Sequence, residues 1–132
     1  MSNQFKTAIY CRAARADDEA IANQKAMLRN YAEENGHGEP SVYIDNGYSG
    51  IGFNRPALTC LNEDINAGLV KTVIVKDFSR LSRSAPDMSA WADNIRRKGV
   101  LLISVLEGPY DDSFSAIYNA LLQAYGESQA KP

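Results

Sequence analysis

Four short apolar runs alternate along the chain with segments whose apolar residues recur at helical spacing, and this alternation narrows the fold more than any other feature. The runs are Thr7–Cys11, Ser41–Asp45, Thr72–Lys76 and Val100–Leu106. Thr7–Cys11 and Thr72–Lys76 are apolar at consecutive positions, as strands covered on both faces must be. Between the first two runs, Asp17 and Asp18 supply cap and first-turn acid, and Ile21, Gln24, Lys25, Leu28, Tyr31 and Ala32 keep helical period up to Asn35-Gly36. A second helix is predicted from Pro56 through Leu58, Leu61 and Ile65 to Gly68. A third follows Ser84-Ala85-Pro86 through Met88, Trp91, Ala92 and Ile95 to Lys98-Gly99. The last segment, Asp112 to Tyr125, carries Phe114, Ile117, Tyr118, Leu121, Leu122 and Tyr125 at helical spacing. Strands alternating with helices predict an α/β fold, a mostly parallel sheet of four to five strands with helices on both faces.

Four arginines stand at the places such a fold reserves for ligands. Arg12 closes the first run, Arg55 follows the glycine-rich loop Asn46–Gly52, and Arg80 and Arg83 follow the third run. In an open parallel sheet ligands gather at the carboxyl ends of the strands, where Arg12, Asp45, Arg80 and Arg83 fall. Converging guanidinium forks suit a phosphodiester, because each can donate paired, charge-assisted hydrogen bonds to phosphate oxygens. A formal net charge of -2 argues against coating nucleic acid by bulk field, so any such contact is local. Cys11 and Cys60 lack ligand spacing and read as reduced core thiols of a cytoplasmic protein. No basic segment with an apolar signal core opens the chain, and no apolar run approaches the roughly 20 residues needed to span a bilayer, so no membrane partner is expected. A nucleotide-binding enzyme is disfavoured, because Arg12-Ala13-Ala14-Arg15-Ala16 stands where a glycine-rich phosphate loop would lie.

The run Ile9-Tyr10-Cys11-Arg12, the helix segment Asn23-Gln24-Lys25-Ala26-Met27-Leu28, the stretches Asp45-Asn46-Gly47-Tyr48-Ser49-Gly50 and Phe53-Asn54-Arg55-Pro56, and Val75-Lys76-Asp77-Phe78-Ser79-Arg80-Leu81-Ser82-Arg83 together resemble the resolvase/invertase family of serine recombinases. The likeness is nearest to the catalytic domains of large serine recombinases of conjugative transposons and phages, and covers roughly residues 6 to 110. It implies a resolvase-like catalytic domain over 1–126, a polar tail over 127–132, and DNA as partner through its phosphodiester backbone. A homodimer or tetramer is implied too, with no metal or other cofactor. It also implies that Arg12, Arg80 and Arg83 are catalytic, with Arg55, Gln24, Asp45 and Ser79 around the phosphate. The attacking serine of the family falls on Ala14.

A methyl group has no lone pair with which to attack phosphorus, so the resemblance implies an arginine crevice without its nucleophile. Ser79, Ser82 and Ser49 are the nearby hydroxyls, and none stands at the matching position. A native loss of the serine and a deliberate serine-to-alanine change both fit; Ala13, where the family has a bulkier apolar residue, favours the first. The family's C-terminal DNA-binding domain is expected to be absent, which leaves this chain without a base-reading element. The alternative is a non-catalytic dimerisation or regulatory module of the same descent. His37, beside Gly36 and Gly38, reads as a loop residue. The pair Asp111-Asp112 reads as a helix cap before a metal site, and Met88, Trp91 and the apolar terminal helix read as core or subunit contact.

Overall fold

A computed structural model of the chain describes residues 6–50 and 55–111, together with 113, 114, 116, 117, 119–121, 123 and 124. The elements follow the predicted alternation: β1 (Lys6–Ala13), α1 (Asp18–Glu34), β2 (Ser41–Asn46), α2 (Pro56–Asn66), β3 (Val70–Val75), α3 (Ala85–Arg97), β4 (Leu101–Ser104) and β5 (Gly108–Pro109). They form one five-stranded sheet in the order β2-β1-β3-β4-β5, with β1 to β4 parallel and β5 antiparallel. The described residues between 113 and 124 are helical. Gly52, Asp112, Tyr118, Leu122, Tyr125 and the tail 127–132 lie outside the described residues.

The chain leaves β1 for β2 on one side and returns past β1 to β3 on the other. With right-handed crossovers, that reversal puts α1 and α2 on opposite faces of the sheet. The side chains obey it with a period of two. Ile9, Cys11 and Ala13 of β1 meet Ile21, Leu28 and Ala32 of α1, with Ile74 and Ile103 beside them. Ala8 and Tyr10 turn the other way, into a larger cluster with Leu58, Leu61 and Ile65 of α2 and Met88, Ala92 and Ile95 of α3. Because β1 is covered on both sides, its sequence cannot alternate polar with apolar, which is why it reads as a continuous run.

The predicted helix limits hold because their signals are local. Asp17 caps α1 by accepting from the Ala20 N–H at 3.0 Å, and past its end Gly36 takes the left-handed φ of 78°. Two expectations fail: Cys60 is exposed, since on α2 it falls off the face of Leu58, Leu61 and Ile65, and the fourth strand is shorter than expected. Val100–Leu106 breaks after Ser104, whose hydroxyl accepts the Glu107 N–H at 3.0 Å, and Gly108 at φ 94° turns the chain back as β5. Asp111 accepts the Phe114 N–H at 2.9 Å, the capping role expected of that acidic pair. Phe114 then packs edge-on against Phe78 and at a tilt against Tyr110.

Candidate functional site

Pairing between β1 and β3 ends at Tyr10 with Val75, while β1 continues beside β2 through Arg12 and Ala13. The backbone of Arg12 therefore lacks a strand partner on one side, and Gln24 of α1 supplies one. Its Oε1 accepts the Arg12 N–H at 3.2 Å and its Nε2 donates to the Arg12 carbonyl at 2.9 Å. This amide clamp fixes the point where the chain leaves the sheet. Two residues on, Ala14 is exposed at the edge of a cavity of about 390 Å3, whose wall includes Arg15, Asp17, Gln24, Lys76 and Arg80. The cavity lies between the carboxyl ends of β1 and β3, where the order of strands reverses, the position at which open α/β sheets hold ligands. Three cations and one carboxylate on its wall make it locally positive in a chain of net charge -2.

Behind the cavity the arginines meet around a single 3-10 turn, Phe78–Arg80. Arg12 donates from Nε to the Arg80 carbonyl at 2.9 Å, from Nη1 to the Tyr48 carbonyl at 3.0 Å and from Nη2 to the Ser79 carbonyl at 2.9 Å. Arg55 donates from Nη1 to the Arg80 carbonyl at 2.9 Å and to the Tyr10 hydroxyl at 3.3 Å, and from Nη2 to the Leu81 carbonyl. The Tyr10 hydroxyl in turn donates to Asp45 at 2.7 Å. Asp45 also accepts the N–H groups of Ala57 and Leu58, at 2.9 and 3.0 Å, and so caps α2 from the end of β2. Both arginines are 1% exposed. Burial first, then the neighbouring charge of Arg55 with Arg80 and Arg83 beyond it, pulls the Arg12 pKa below the usual arginine value.

Arg80 reaches the Arg12 carbonyl from Nη1 at 3.3 Å, and its Nε lies 3.5 Å from an oxygen of Asp77. Arg83 is exposed, and its N–H donates to the Gly50 carbonyl at 2.8 Å. Glycine is required at position 50 by space: a Cβ there would lie 2.4 Å from Arg83 Cγ and 2.7 Å from Arg12 Nη2. Ser79 is exposed, with its hydroxyl and its N–H both turned to the Asp77 carboxylate.

The predicted residues thus do converge, and the structure divides them. Arg12 and Arg55 face carbonyl oxygens, Asp45 caps a helix, and Gln24 lines the cavity while holding the Arg12 backbone. Arg80 belongs to both the turn and the cavity wall, and Arg83 flanks the loop at Gly50. Arg15 and Lys76, which the sequence reading did not single out, stand with Arg80 on the wall. Their signal was present: Lys76 directly follows the last residue of β3, and Arg15 directly follows Ala14.

A parallel α/β domain with a cation-walled cavity at its strand-order reversal is the class that this fold and site define. Residues 7–130 match the family model described as Resolvase, N terminal domain. The chain belongs to that family, the N-terminal catalytic domains of the serine recombinases. It is 33% identical over 108 residues to a Bacillus subtilis (strain 168) protein provisionally named a DNA recombinase, covering 80% of this chain and 21% of that protein. It is 29% identical over 113 residues to a Clostridium perfringens resolvase, covering 86% and 56%. The chain therefore spans less than two thirds of either relative. Among solved structures, the N-terminal catalytic domain of TP901-1 integrase superposes with a TM-score of 0.81 at 29% identity, over 94% of this chain and 96% of that one. A resolvase family site-specific recombinase from Streptococcus pneumoniae gives 0.79 at 26% identity, over 94% and 89%.

Proposed function

We propose that this chain is the phosphate-handling part of a site-specific DNA recombinase, whose cavity at Ala14 receives a DNA phosphodiester but does not cleave it. The cavity walled by Arg80, Lys76 and Arg15 carries the reading. A phosphate there meets positive charge on three side chains, while Ala14 offers only a methyl group at the position from which the family's serine attacks. Electrostatic stabilisation survives such a loss, whereas the covalent phosphoserine link does not. Ser79 does not replace the missing hydroxyl, because it is not among the residues that line the cavity.

The test is Ala14→Ser, made in the chain fused to a heterologous DNA-binding domain and incubated with DNA carrying that domain's site. Denaturing gels are expected to show covalent protein–DNA linkage for Ala14→Ser and none for the parent. Adding Arg80→Ala to the restored chain is expected to abolish the linkage. Linkage by the parent itself would overturn the assignment of Ala14, and undiminished linkage after Arg80→Ala would overturn that of Arg80.

A second reading, a non-catalytic assembly module, draws on the terminal helical segment, where Ile117 and Leu121 are each 63% exposed. Self-association through this segment accords with either reading.

A further inference from the structure

The turn that carries Arg80 is gripped from outside the cavity by Glu107, and we infer that Glu107 is a positioning residue for the phosphate contact of Arg80. It acts through the turn, not on the phosphate. The inference rests on the reading of the cavity as a phosphate site.

Glu107 lies between β4 and β5, on an element that contributes nothing to the cavity wall. One of its carboxylate oxygens accepts the Phe78 N–H at 2.8 Å and the Ser104 hydroxyl at 2.7 Å. The Ser104 hydroxyl in turn accepts the Glu107 N–H at 3.0 Å, closing a ring that fixes the carboxylate. The same hairpin is already stitched to the end of β3 and the residue after it by backbone bonds, Val105 N–H to the Val75 carbonyl at 2.9 Å and Leu106 N–H to the Lys76 carbonyl at 3.1 Å. The hairpin therefore does not need Glu107 in order to stay in place. Phe78 is what needs it, since this N–H opens the 3-10 turn.

The turn is oriented like a small dipole between opposite charges. Its leading N–H groups face carboxylates, Phe78 toward Glu107 and Ser79 toward Asp77. Its trailing carbonyls, those of Ser79, Arg80 and Leu81, face the guanidinium groups of Arg12 and Arg55. Loss of the Glu107 oxygen leaves the Phe78 N–H without its acceptor, so the leading end is held by Asp77 alone while the trailing end stays pinned. The turn then tilts about its carbonyls, and the side chain of Arg80, which starts from the turn, swings on the cavity wall. Glu107 as a residue is exposed, so it adds little by burial, and the acceptor oxygen is its contribution.

The experiment follows the Arg80 Nε–H and Phe78 N–H resonances of the 15N-labelled chain during titration with inorganic phosphate and, separately, with a short DNA duplex. The parent is expected to shift at Arg80 with both probes. Glu107→Ala is expected to move the Phe78 resonance before any probe is added and to weaken both affinities by about five- to tenfold. Glu107→Gln, which keeps an acceptor oxygen without charge, is expected to restore both to within about twofold. Cooperative unfolding of each variant in urea confirms that it is folded. Equal binding by the parent and Glu107→Ala overturns the inference alone. So does a Glu107→Gln chain as impaired as Glu107→Ala, since an acceptor would then not be what matters. A parent that shifts with neither probe overturns the phosphate reading itself, and the inference with it.

Discussion

Three carbonyl oxygens from two loops converge on Arg12, and its planar guanidinium meets each from a different nitrogen. Arg12→Lys replaces that fork with a compact ammonium. The substitution is expected to lower unfolding free energy by roughly 2–4 kcal/mol, measured by urea denaturation, because buried carbonyls lose their donors. That Arg12 sits at a strand end was legible in the sequence, since the apolar run stops there. Its commitment to carbonyls was not, because Tyr48, Ser79 and Arg80 are separated from it by 36, 67 and 68 positions. The same holds for Gln24, whose place on α1 follows from helical period while its service as a substitute strand depends on where β3 stops pairing.

Among the elements, α2 depends most on a residue outside itself. Its N-cap position is Arg55, which makes no side-chain capping bond, so Asp45 covers the first free N–H groups from the neighbouring strand. Asp45→Ala removes two caps and the acceptor of the buried Tyr10 hydroxyl together. It is expected to cost roughly 2–4 kcal/mol, with amide exchange quickening first at Ala57 and Leu58. Caps drawn from adjacent residues, such as Asp17 on α1, can be read from a sequence; a cap drawn from another strand cannot. The fourth strand illustrates the opposite error, since hydrophobicity extended it to Leu106 while Ser104 and Gly108, both local signals, end it and turn it back.

At the scale of the whole molecule, burial sets the response to alkali. Tyr10, Tyr43 and Cys11 are all raised, by burial first, and the two tyrosines next by hydrogen bonds to Asp45 and Asp64. For Cys11 the rise is from 9.0 to about 11. An acid whose pKa is raised on folding holds its proton longer in the folded chain than in the unfolded one, so stability falls as pH rises. The contribution of Cys11 is fully present below pH 9.0 and is lost on approaching pH 11. Denaturation midpoints measured from neutral pH upward are expected to hold steady and then fall across that interval. Cys11→Ala is expected to show a shallower fall.

What the sequence determined by itself is the order of elements, the parallel sheet and the end of it at which charged residues gather. These follow from the period of apolar residues and from signals within a few positions of one another. It also determined the absence of a hydroxyl at position 14, which no packing can supply. Only the tertiary structure decided which arginines face carbonyls and which face the cavity, that Asp45 caps a helix, and that Glu107 grips the turn of Arg80. A hydrogen bond between residues dozens of positions apart leaves no periodic trace in the chain. Its geometry exists only once the sheet has fixed where each strand ends.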